Sequence, residues 1–262
     1  MEARTFNQFT GVSVVVMAAF IVAVIGMLAI QTTPAALVTN LQSAEILFSI
    51  RLSLLTATVS SIMSMIVAVP TGYALARTEF PGKSFAETIV NVPLALPPLV
   101  AGVGLLLFFG HTPIGDVLNR FGIEFVFTKS GIVMAQFLIN VPFAIRIMRS
   151  TFDGINPRYE HVAKTLGYTH AETFRKVTLP MAKNGFLAST AITWAKGMGE
   201  FGAVLMLAGA TRMKTETLPI AVFLNMSSGE IELAIAAAII LVIVSFVALY
   251  VLERFGGDAT IY

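Results

Sequence analysis

The chain has 262 residues, of which 56% are hydrophobic and 12% charged, with a formal net charge of +2 and no cysteine. Soluble domains carry about 25% charged residues, so this composition predicts a membrane protein and leaves little chain for a soluble catalytic domain. A small positive charge is typical of the cytoplasmic loops of a polytopic protein and does not indicate nucleic-acid binding. Without cysteine, the chain has no disulfide framework, thiolate metal site or cysteine nucleophile.

Apolar runs long enough to cross about 30 Å of hydrocarbon predict an all-α membrane protein with about six transmembrane helices. The runs lie near 12–30, 52–76, 89–109, 131–148, 184–208 and 231–252. The first run is longer than the 7 to 15 residues typical of a secretory signal, so we expect it to be a retained span. With the N-terminus inside, cytoplasmic loops hold eleven Lys and Arg against five outside, which places both termini in the cytoplasm.

Prolines interrupt two of the predicted spans. Pro93, Pro97 and Pro98 lie in the third span, and Pro142 follows Asn140 in the fourth. A proline inside a helix removes a backbone hydrogen bond, which membrane proteins tolerate at packing kinks and where broken helices line a cavity. Both interpretations stay open; the second makes Pro93, Pro97, Pro98 and Asn140 candidate pathway residues.

The longest connection, 149–183, is amphipathic. Four apolar residues recur at spacings of three and four, which predicts one helical face: Tyr159, Val162, Ala163 and Leu166. Gly167 fits the C-terminal cap of this helix. Thr169 followed by Glu172 is a capping-box pattern that starts a second short helix, which ends before Pro180. Such a hairpin either simply joins two spans or forms a protrusion for a partner.

The same segment resembles the EAA loop of binding-protein-dependent ABC importer permeases. That loop reads Glu-Ala-Ala, three residues, Gly, nine residues, Ile, one residue, Leu-Pro, and here the nine-residue gap separates Gly167 from Val177. His161 and Val162 depart from the alanines of the pattern. The resemblance implies a coupling helix that docks on a separate ATPase subunit. The residues it assigns to ATPase coupling are Arg158, Tyr159, Glu160, His161, Val162, Ala163, Lys164, Thr165, Leu166, Gly167, Phe174, Leu179 and Pro180.

A second resemblance concerns the substrate. Residues 194–209 and 215–223, above all Gly-Glu-Phe-Gly-Ala at 199–203, resemble the fifth span and following loop of molybdate and tungstate permeases. Residues 91–102 are similar to the third span of that family. Related sulfate and thiosulfate permeases usually carry Tyr and Ser where this chain has Phe201 and Ala203. The resemblance covers roughly residues 49–252 and implies a type I importer permease for molybdate or tungstate, with sulfate as the alternative.

Two ionisable residues lie within the fifth predicted span. Lys196 and Glu200 are four residues apart, so on one helix they share a face and can pair. A charge at membrane depth costs at least about 2.5 to 3.5 kcal/mol unless it is paired or faces water. The two form either an internal ion pair that fixes helix packing, or a pathway element in which Lys196 attracts a tetrahedral dianion. In the second case Gly199 and Gly202 would offer backbone N–H groups as weak contacts.

These observations together predict an N-terminal helix and external loop at 1–44, a permease core at 45–253 with the coupling loop at 153–180, and a cytoplasmic tail at 254–262. The chain has no phosphate-binding loop motif, so we expect ATP and magnesium to be bound by a partner. His111, His161 and His170 match no metal-ligand spacing, and we expect no catalytic residue, metal or cofactor in this chain. The expected partners are a second copy, two ATP-binding cassette ATPase subunits, an external substrate-binding protein and the lipid of the cell membrane.

Two other classes of function are open to a polytopic membrane protein. An ion-coupled secondary carrier would be expected to hold carboxylates in several spans, whereas Glu200 is the one acid placed deep in a predicted span. A membrane-embedded enzyme would need a convergent nucleophile or metal-ligand set, and the sequence contains no such pattern. Both remain less favoured alternatives to a transport subunit.

Overall fold

The computed structural model describes residues 2–255, and within that range helices are the only regular secondary structure. Four helices are long and apolar enough to cross a membrane. They are α1 (Glu2–Ile30), α3 (Ala44–Arg77), α7 (Lys129–Asp153) and α14 (Ile231–Phe255). Their positions confirm the first, second, fourth and sixth predicted spans. The predicted tail at 254–262 lies almost entirely outside the described residues.

The third and fifth predicted spans are each divided into two helices. Helices α4 (Lys83–Ala95) and α5 (Pro98–Gly110) meet at an angle of 111° and together are long enough to count as a fifth span. Helices α11 (Lys183–Met198) and α12 (Gly202–Ala208) contain 16 and 7 residues. Neither α11 nor α12 alone is long enough to cross, so the predicted continuous span at 184–208 is corrected to a broken one.

The fourth predicted span is continuous. Helix α7 runs through Pro142 without interruption, so a break at Asn140 to Pro142 is wrong. Pro142 is buried, and α7 packs along most of its length against α3 and also against α11. This dense packing holds the helix together where the proline removes one hydrogen bond. The prediction of a broken helix is therefore confirmed for the third span and is wrong for the fourth.

Helices α3 and α7 approach closely because small residues lie between them. A Cβ atom at Gly72 would lie 2.9 Å from the Cβ of Met148. Hydroxyl-bearing residues line the buried side of α3: Ser49, Ser53, Thr56, Ser60 and Ser64. Small residues allow helices to pack by van der Waals contact where hydrocarbon gives no hydrophobic driving force. The result is a rigid centre formed by α3, α7 and α11.

Shorter helices complete the chain. Helices α2 (Pro34–Leu41) and α6 (Pro113–Arg120) each start with a proline after a capping threonine, Thr33 and Thr112. The coupling loop holds α8 (Arg158–Thr165), α9 (His170–Thr173), a π-helical turn (Phe174–Thr178) and α10 (Leu179–Met181). In α1, the segment Thr10–Leu28 has no buried residue in the single chain, so this helix lies at the periphery.

Helix α13 (Leu218–Ser228) lies within the segment that the sequence predicted as an external loop. The N–H of Leu218 donates to Ser53 Oγ at 2.8 Å, and near the other end Asn225 Nδ2 donates to Glu45 Oε1 at 2.8 Å. Along the axis of α3, Ser53 lies about 12 Å from Glu45, toward the middle of the helix. Helix α13 therefore starts beside Ser53 and runs back along α3 toward Glu45, so the loop before it re-enters the helix bundle.

The contact between α5 and α12 gives a test of the fold. A Cβ at Gly102 would lie 2.8 Å from the Cα of Ala203, whereas a Cβ at Gly104 would meet nothing within 4 Å. We expect Gly102→Ala to destabilise the protein by about 1 to 3 kcal/mol through overpacking. Gly104→Ala, in the same helix, should be neutral or stabilising because alanine favours a helix by up to about 1 kcal/mol over glycine. Thermal unfolding in detergent measures both, and equal unfolding temperatures would contradict the close packing.

Candidate functional site

The local structure of the coupling loop agrees with the predicted pair of short helices. Gly167 has a φ of +91°, a left-handed conformation that suits glycine after a helix. Thr169 and Glu172 form the predicted capping box: the Glu172 N–H donates to Thr169 Oγ1 at 3.2 Å, and the Thr169 N–H donates to Glu172 Oε2 at 3.0 Å. The hydrogen bonds from Thr169 are the first cause of a lowered pKa at Glu172.

Helix α8 has an exposed apolar face and a buried face. Tyr159, Val162 and Leu166 are 55%, 57% and 75% exposed, whereas Ala163 and Glu160 are buried. The single apolar face predicted from the sequence is therefore divided, because Ala163 points inward and the three larger side chains point outward. A contiguous exposed apolar group is typical of a protein–protein contact surface. The remaining residues assigned to coupling in α8 are exposed or half-buried: Arg158, His161, Lys164 and Thr165.

Glu160 is held from inside the protein. Its Oε1 lies 2.9 Å from Arg77 Nε, its Oε2 accepts a hydrogen bond from Tyr73 Oη at 3.1 Å, and Arg77 Nη2 also donates to the Ile155 carbonyl at 2.7 Å. Burial alone would raise the pKa of Glu160, but the Arg77 guanidinium and the hydrogen bonds outweigh it and hold that pKa below its usual value. Glu160 is therefore a buried carboxylate with fixed partners.

The second half of the coupling loop packs on the same place. Phe174 lies with its ring centroid 4.8 Å from that of Tyr73, and the Tyr73 ring also contacts Phe152 at 5.5 Å. Leu179 and Pro180 form the start of α10, which leads directly into α11. Tyr73 and Arg77 were not identified from the sequence as partners of Glu160, and Arg77 was counted only among the cytoplasmic Lys and Arg residues. The available signal was the position of Arg77 in the last turn of an apolar helix.

The two helix breaks lie side by side. A Cβ at Gly202 would lie 3.1 Å from both Leu99 N and Pro98 Cβ, so the start of α12 packs directly on the start of α5. Pro97, Pro98 and Gly199 are exposed in the single chain, while Gly202 is buried. Irregular backbone at membrane depth is tolerated where it is covered by protein or lines a cavity. Of the predicted pathway residues, Pro98 and Gly202 meet directly here, and Pro97, Gly199 and Glu200 lie within three residues of them in the chain.

Glu200 closes the start of α12. Its Oε1 accepts a hydrogen bond from the Ala203 N–H at 3.0 Å. Within the described residues no salt bridge joins Glu200 to Lys196, because α11 ends at Met198 and the chain turns before Glu200. The Lys196 charge still acts on Glu200 over a longer distance, so their interaction stays a prediction. Lys196 Nζ instead lies 3.9 Å from the ring centroid of Phe143 on α7. The ring quadrupole attracts a cation placed over its face, which partly offsets the cost of a charge at membrane depth.

Two predicted pathway residues lie apart from the meeting point. Pro93 is inside α4, before the break. Asn140 is fully buried on α7, and a Cβ at Gly197 of α11 would lie 3.2 Å from its Nδ2. Its neighbour one turn earlier, Gln136, donates from Nε2 to the Gly197 carbonyl at 2.9 Å. The Gln136 amide therefore joins α7 to α11 just before the fifth span breaks, whereas the buried Asn140 amide makes no hydrogen bond within the described residues.

A charged cluster at the opposite end of the bundle was also missed. Arg212 Nη1 lies 2.6 Å from Glu45 Oε1 and 3.1 Å from Asn225 Oδ1, and its Nη2 donates to Ser228 Oγ at 2.9 Å. The buried Glu216 accepts from the Met213 N–H at 2.9 Å. Burial, reinforced by the neighbouring Glu45 carboxylate, raises the pKa of Glu216 to about 7. The cluster ties α3, the re-entrant loop and α13 together.

The raised pKa of Glu216 predicts a pH-dependent stability. An unfolded glutamate loses its proton near pH ~4.3, but the folded protein keeps it until the pH reaches about 7. The native state therefore loses stability as the pH rises between these values. We expect the unfolding temperature of the wild type to fall over this window and that of Glu216→Gln to fall less. Glu232→Gln, an exposed site, should keep the wild-type profile; identical profiles for all three would contradict the assignment.

The amino-acid sequence is similar to those of known transport proteins. Residues 68–256 match the family described as binding-protein-dependent transport system inner membrane component. A probable molybdenum ABC transporter permease protein of Haloferax volcanii is 33% identical, covering 89% of this chain and 84% of its own. A sulfate transport system permease protein of Salmonella typhimurium is 31% identical over 81% and 78%. A molybdate/tungstate transport system permease protein of Pyrococcus abyssi is 35% identical over 66% and 64%.

Solved structures share the fold. A bacterial alginate ABC transporter in complex with its periplasmic protein superposes with a TM-score of 0.69 at 16% identity, covering 96% of this chain and 91% of that chain. The inward-facing MetNI methionine ABC transporter gives 0.61 at 18% identity over 82% and 96%. The chain belongs to the family of binding-protein-dependent transport system inner membrane components, as a multi-pass permease subunit of an ABC importer.

Proposed function

We propose that this permease subunit carries molybdate or tungstate inward by alternating access, driven by ATP hydrolysis in a separate subunit. The observation that carries the proposal is the meeting of two helix breaks at membrane depth beside Lys196. Broken helices free backbone groups that can contact an ion. A cation with weak backbone contacts favours entry of a tetrahedral dianion without trapping it. The Gly199 N–H donates to the Ala195 carbonyl at 3.3 Å, which leaves Gly202 of the two predicted N–H contacts. The Haloferax and Pyrococcus relatives support this substrate class.

A second copy of the chain would complete the pathway. Leu96, Leu99 and Val100 are 38%, 48% and 53% exposed although they flank the meeting point of the breaks. In a homodimer with this surface at the centre, the two sets of breaks would face each other across one route. An external binding protein would deliver the ion to that route. The exposed apolar residues would then face the partner copy instead of lipid.

The movement produced by ATP hydrolysis would reach the permease at the coupling loop. An ATPase subunit that binds ATP and magnesium would dock on the exposed face of α8, where Tyr159, Val162 and Leu166 lie. The chain itself has no phosphate-binding loop, so it would act as a transport subunit and not as the enzyme. Because α7 and α11 continue directly into this loop, a rigid-body movement of the loop would reorient both helices.

Sulfate is the second candidate substrate. Sulfate permeases match this chain at identities similar to those of the molybdate relatives, and sulfate is also a tetrahedral dianion. Phe201 and Ala203, at positions where sulfate permeases usually carry Tyr and Ser, favour molybdate or tungstate. The substrate test is uptake of radiolabelled molybdate, tungstate and sulfate by proteoliposomes holding the chain, its ATPase and its binding protein. Sulfate preference would overturn the molybdate proposal, and uptake without ATP would overturn the ATP drive.

The role of Lys196 can be tested by substitution. We expect Lys196→Met to lower molybdate uptake by about ten- to hundredfold, as expected for a lost contact to a charged group, while assembly with the ATPase is retained. Lys214→Met, in the exposed loop after α12, is the matched control and should transport normally. Initial uptake rates in proteoliposomes measure the effect. Normal uptake by Lys196→Met would leave Lys196 only a packing role.

The docking face can be tested with a matched pair of exposed apolar residues. Leu166 and Phe121 are 75% and 78% exposed, at the coupling loop and at the predicted external end respectively. We expect Leu166→Asp to reduce ATPase co-purification at least tenfold because it places a charge in an apolar contact. Phe121→Asp should leave co-purification unchanged. An equal effect of both substitutions, or of neither, would contradict docking on α8.

A further inference from the structure

We infer that Arg77 and Tyr73 are positioning residues that fasten the coupling loop to α3, so that a movement of the loop reaches α3 as well as α7 and α11. The inference rests on the proposed function, because it assumes that the ATPase moves the loop. Helices α7 and α11 adjoin the loop in the chain, at Asp153 and Lys183. Helix α3 ends at Arg77, far away in sequence, and has no such covalent link.

The link between α3 and α8 is short, buried and complete. The side chains of Arg77 and Glu160 are only 11% and 5% exposed. Arg77 contacts both Glu160 Oε1 and the Ile155 carbonyl, while Tyr73 Oη donates to the other oxygen, Oε2. Both carboxylate oxygens are therefore occupied. Removing one partner would leave a buried charge unpaired, which is much more costly than losing an exposed pair.

Tyr73 also joins the two halves of the loop. Its ring contacts Phe152, in the last turn of α7, and Phe174, at the start of the π-helical turn after α9. The loop is thus held to α3 by the hydrogen bond from Tyr73 to Glu160 in its first half and by the ring contact of Tyr73 with Phe174 in its second half. Helix α8 lies between two surfaces: Glu160 faces α3, while Tyr159, Val162 and Leu166 face outward. A push on the outward face is delivered to α3 through Glu160.

From this joint, α3 leads to the helix breaks. A Cβ at Gly197, just before the break in the fifth span, would lie 3.4 Å from the Cβ of Ala57. Ser53 Oγ accepts a hydrogen bond from the first N–H of α13. At the end of α3 opposite to Arg77, Glu45 accepts hydrogen bonds from Arg212 and Asn225. Helix α3 therefore touches the coupling loop, the region of the breaks and the re-entrant helix. Its attachment at Arg77 gives the loop a mechanical connection to all three.

The test measures coupling between ATP hydrolysis and uptake in the reconstituted complex with ATPase and binding protein. Arg77→Met and Glu160→Gln should each keep ATPase co-purification and ATP hydrolysis but lower ions transported per ATP at least fivefold. The double variant should be no worse than either single variant, because both act through one contact. Glu79→Gln, which breaks the exposed pair between Glu79 and Lys83 near the end of α3, is the control and should keep the wild-type ratio.

Three results would overturn the inference. The first is a wild-type number of ions transported per ATP in both single variants. The second is a loss in the double variant that equals the product of the two single losses. The third is loss of ATPase binding as the primary defect, which would make Glu160 a docking contact. If Arg77→Met fails to fold, as seen by loss of the purified permease itself, Tyr73→Phe, which removes one hydroxyl, decides by the same ratio. Absence of ATP-dependent uptake in the wild-type complex would instead refute the proposed function, so the two failures are distinguishable.

Because the chain contains no cysteine, the joint can also be rebuilt covalently. Arg77→Cys with Glu160→Cys should be uncoupled when reduced. A bifunctional thiol reagent as long as the original ion pair should restore the transport ratio, and reduction of the reagent should abolish it again. The ATPase and binding protein are used in cysteine-free form. A crosslinked protein that remains uncoupled would show that connecting α3 to the loop is not what Arg77 and Glu160 contribute.

Discussion

Hydrocarbon offers no hydrogen-bond partner to a backbone N–H or C=O group, and most of this architecture follows from that constraint. Continuous helices satisfy these groups internally, as α1, α3, α7 and α14 do. Where the chain departs from a helix, part of the departure packs against protein, while Pro97, Pro98 and Gly199 stay exposed in the single chain. The break before α5 lies against the break before α12, Glu200 caps α12, and Ser53 accepts from the first N–H of α13. Irregular backbone is thus concentrated beside the proposed pathway.

Helix α3 gives these features a common frame. It carries Arg77 and Tyr73 at the coupling loop, a buried row of small hydroxyl residues along α7 and α11, and Glu45 at the opposite end. Close packing makes such an interior respond to force by rigid movement more than by local deformation. Charged contacts occur at the two ends of α3, where side chains reach water or each other, and neutral small residues occupy its middle. In the proposed mechanism, α3 would move as a unit together with its two polar attachments.

Much of this could be predicted from the sequence because local signals sufficed. Long apolar runs located the spans, Gly167 marked a left-handed cap, and Thr169 with Glu172 marked a helix start. The Gly-Glu-Phe-Gly-Ala core and the Leu179-Pro180 ending pointed to the family. These features depend on neighbours within a few residues, which are visible in a one-dimensional pattern.

Features that depend on distant contacts were not predictable in the same way. The sequence spacing of Lys196 and Glu200 suggested a pair, but the helix ends between them and Lys196 turns to Phe143. Pro142 suggested a break, but packing against α3 and α11 holds α7 continuous. The sequence predicts an external loop at the position of helix α13, because the re-entry of this segment into the bundle depends on Ser53, which is far away in sequence. Likewise, nothing near Glu160 in the chain reveals its partner Arg77.

The central claim is that the helix breaks line a route that opens to one side of the membrane at a time. Single cysteines at Leu96 and Leu99, in a chain that has none of its own, can be probed with a membrane-impermeant thiol reagent added from either side of proteoliposomes. The account predicts that ATP binding by the assembled importer transfers reactivity of both positions from one side to the other, while Ile62→Cys, on the exposed side of α3, does not respond. Reactivity at Leu96 and Leu99 that ignores ATP, or never reaches water from either side, would contradict it.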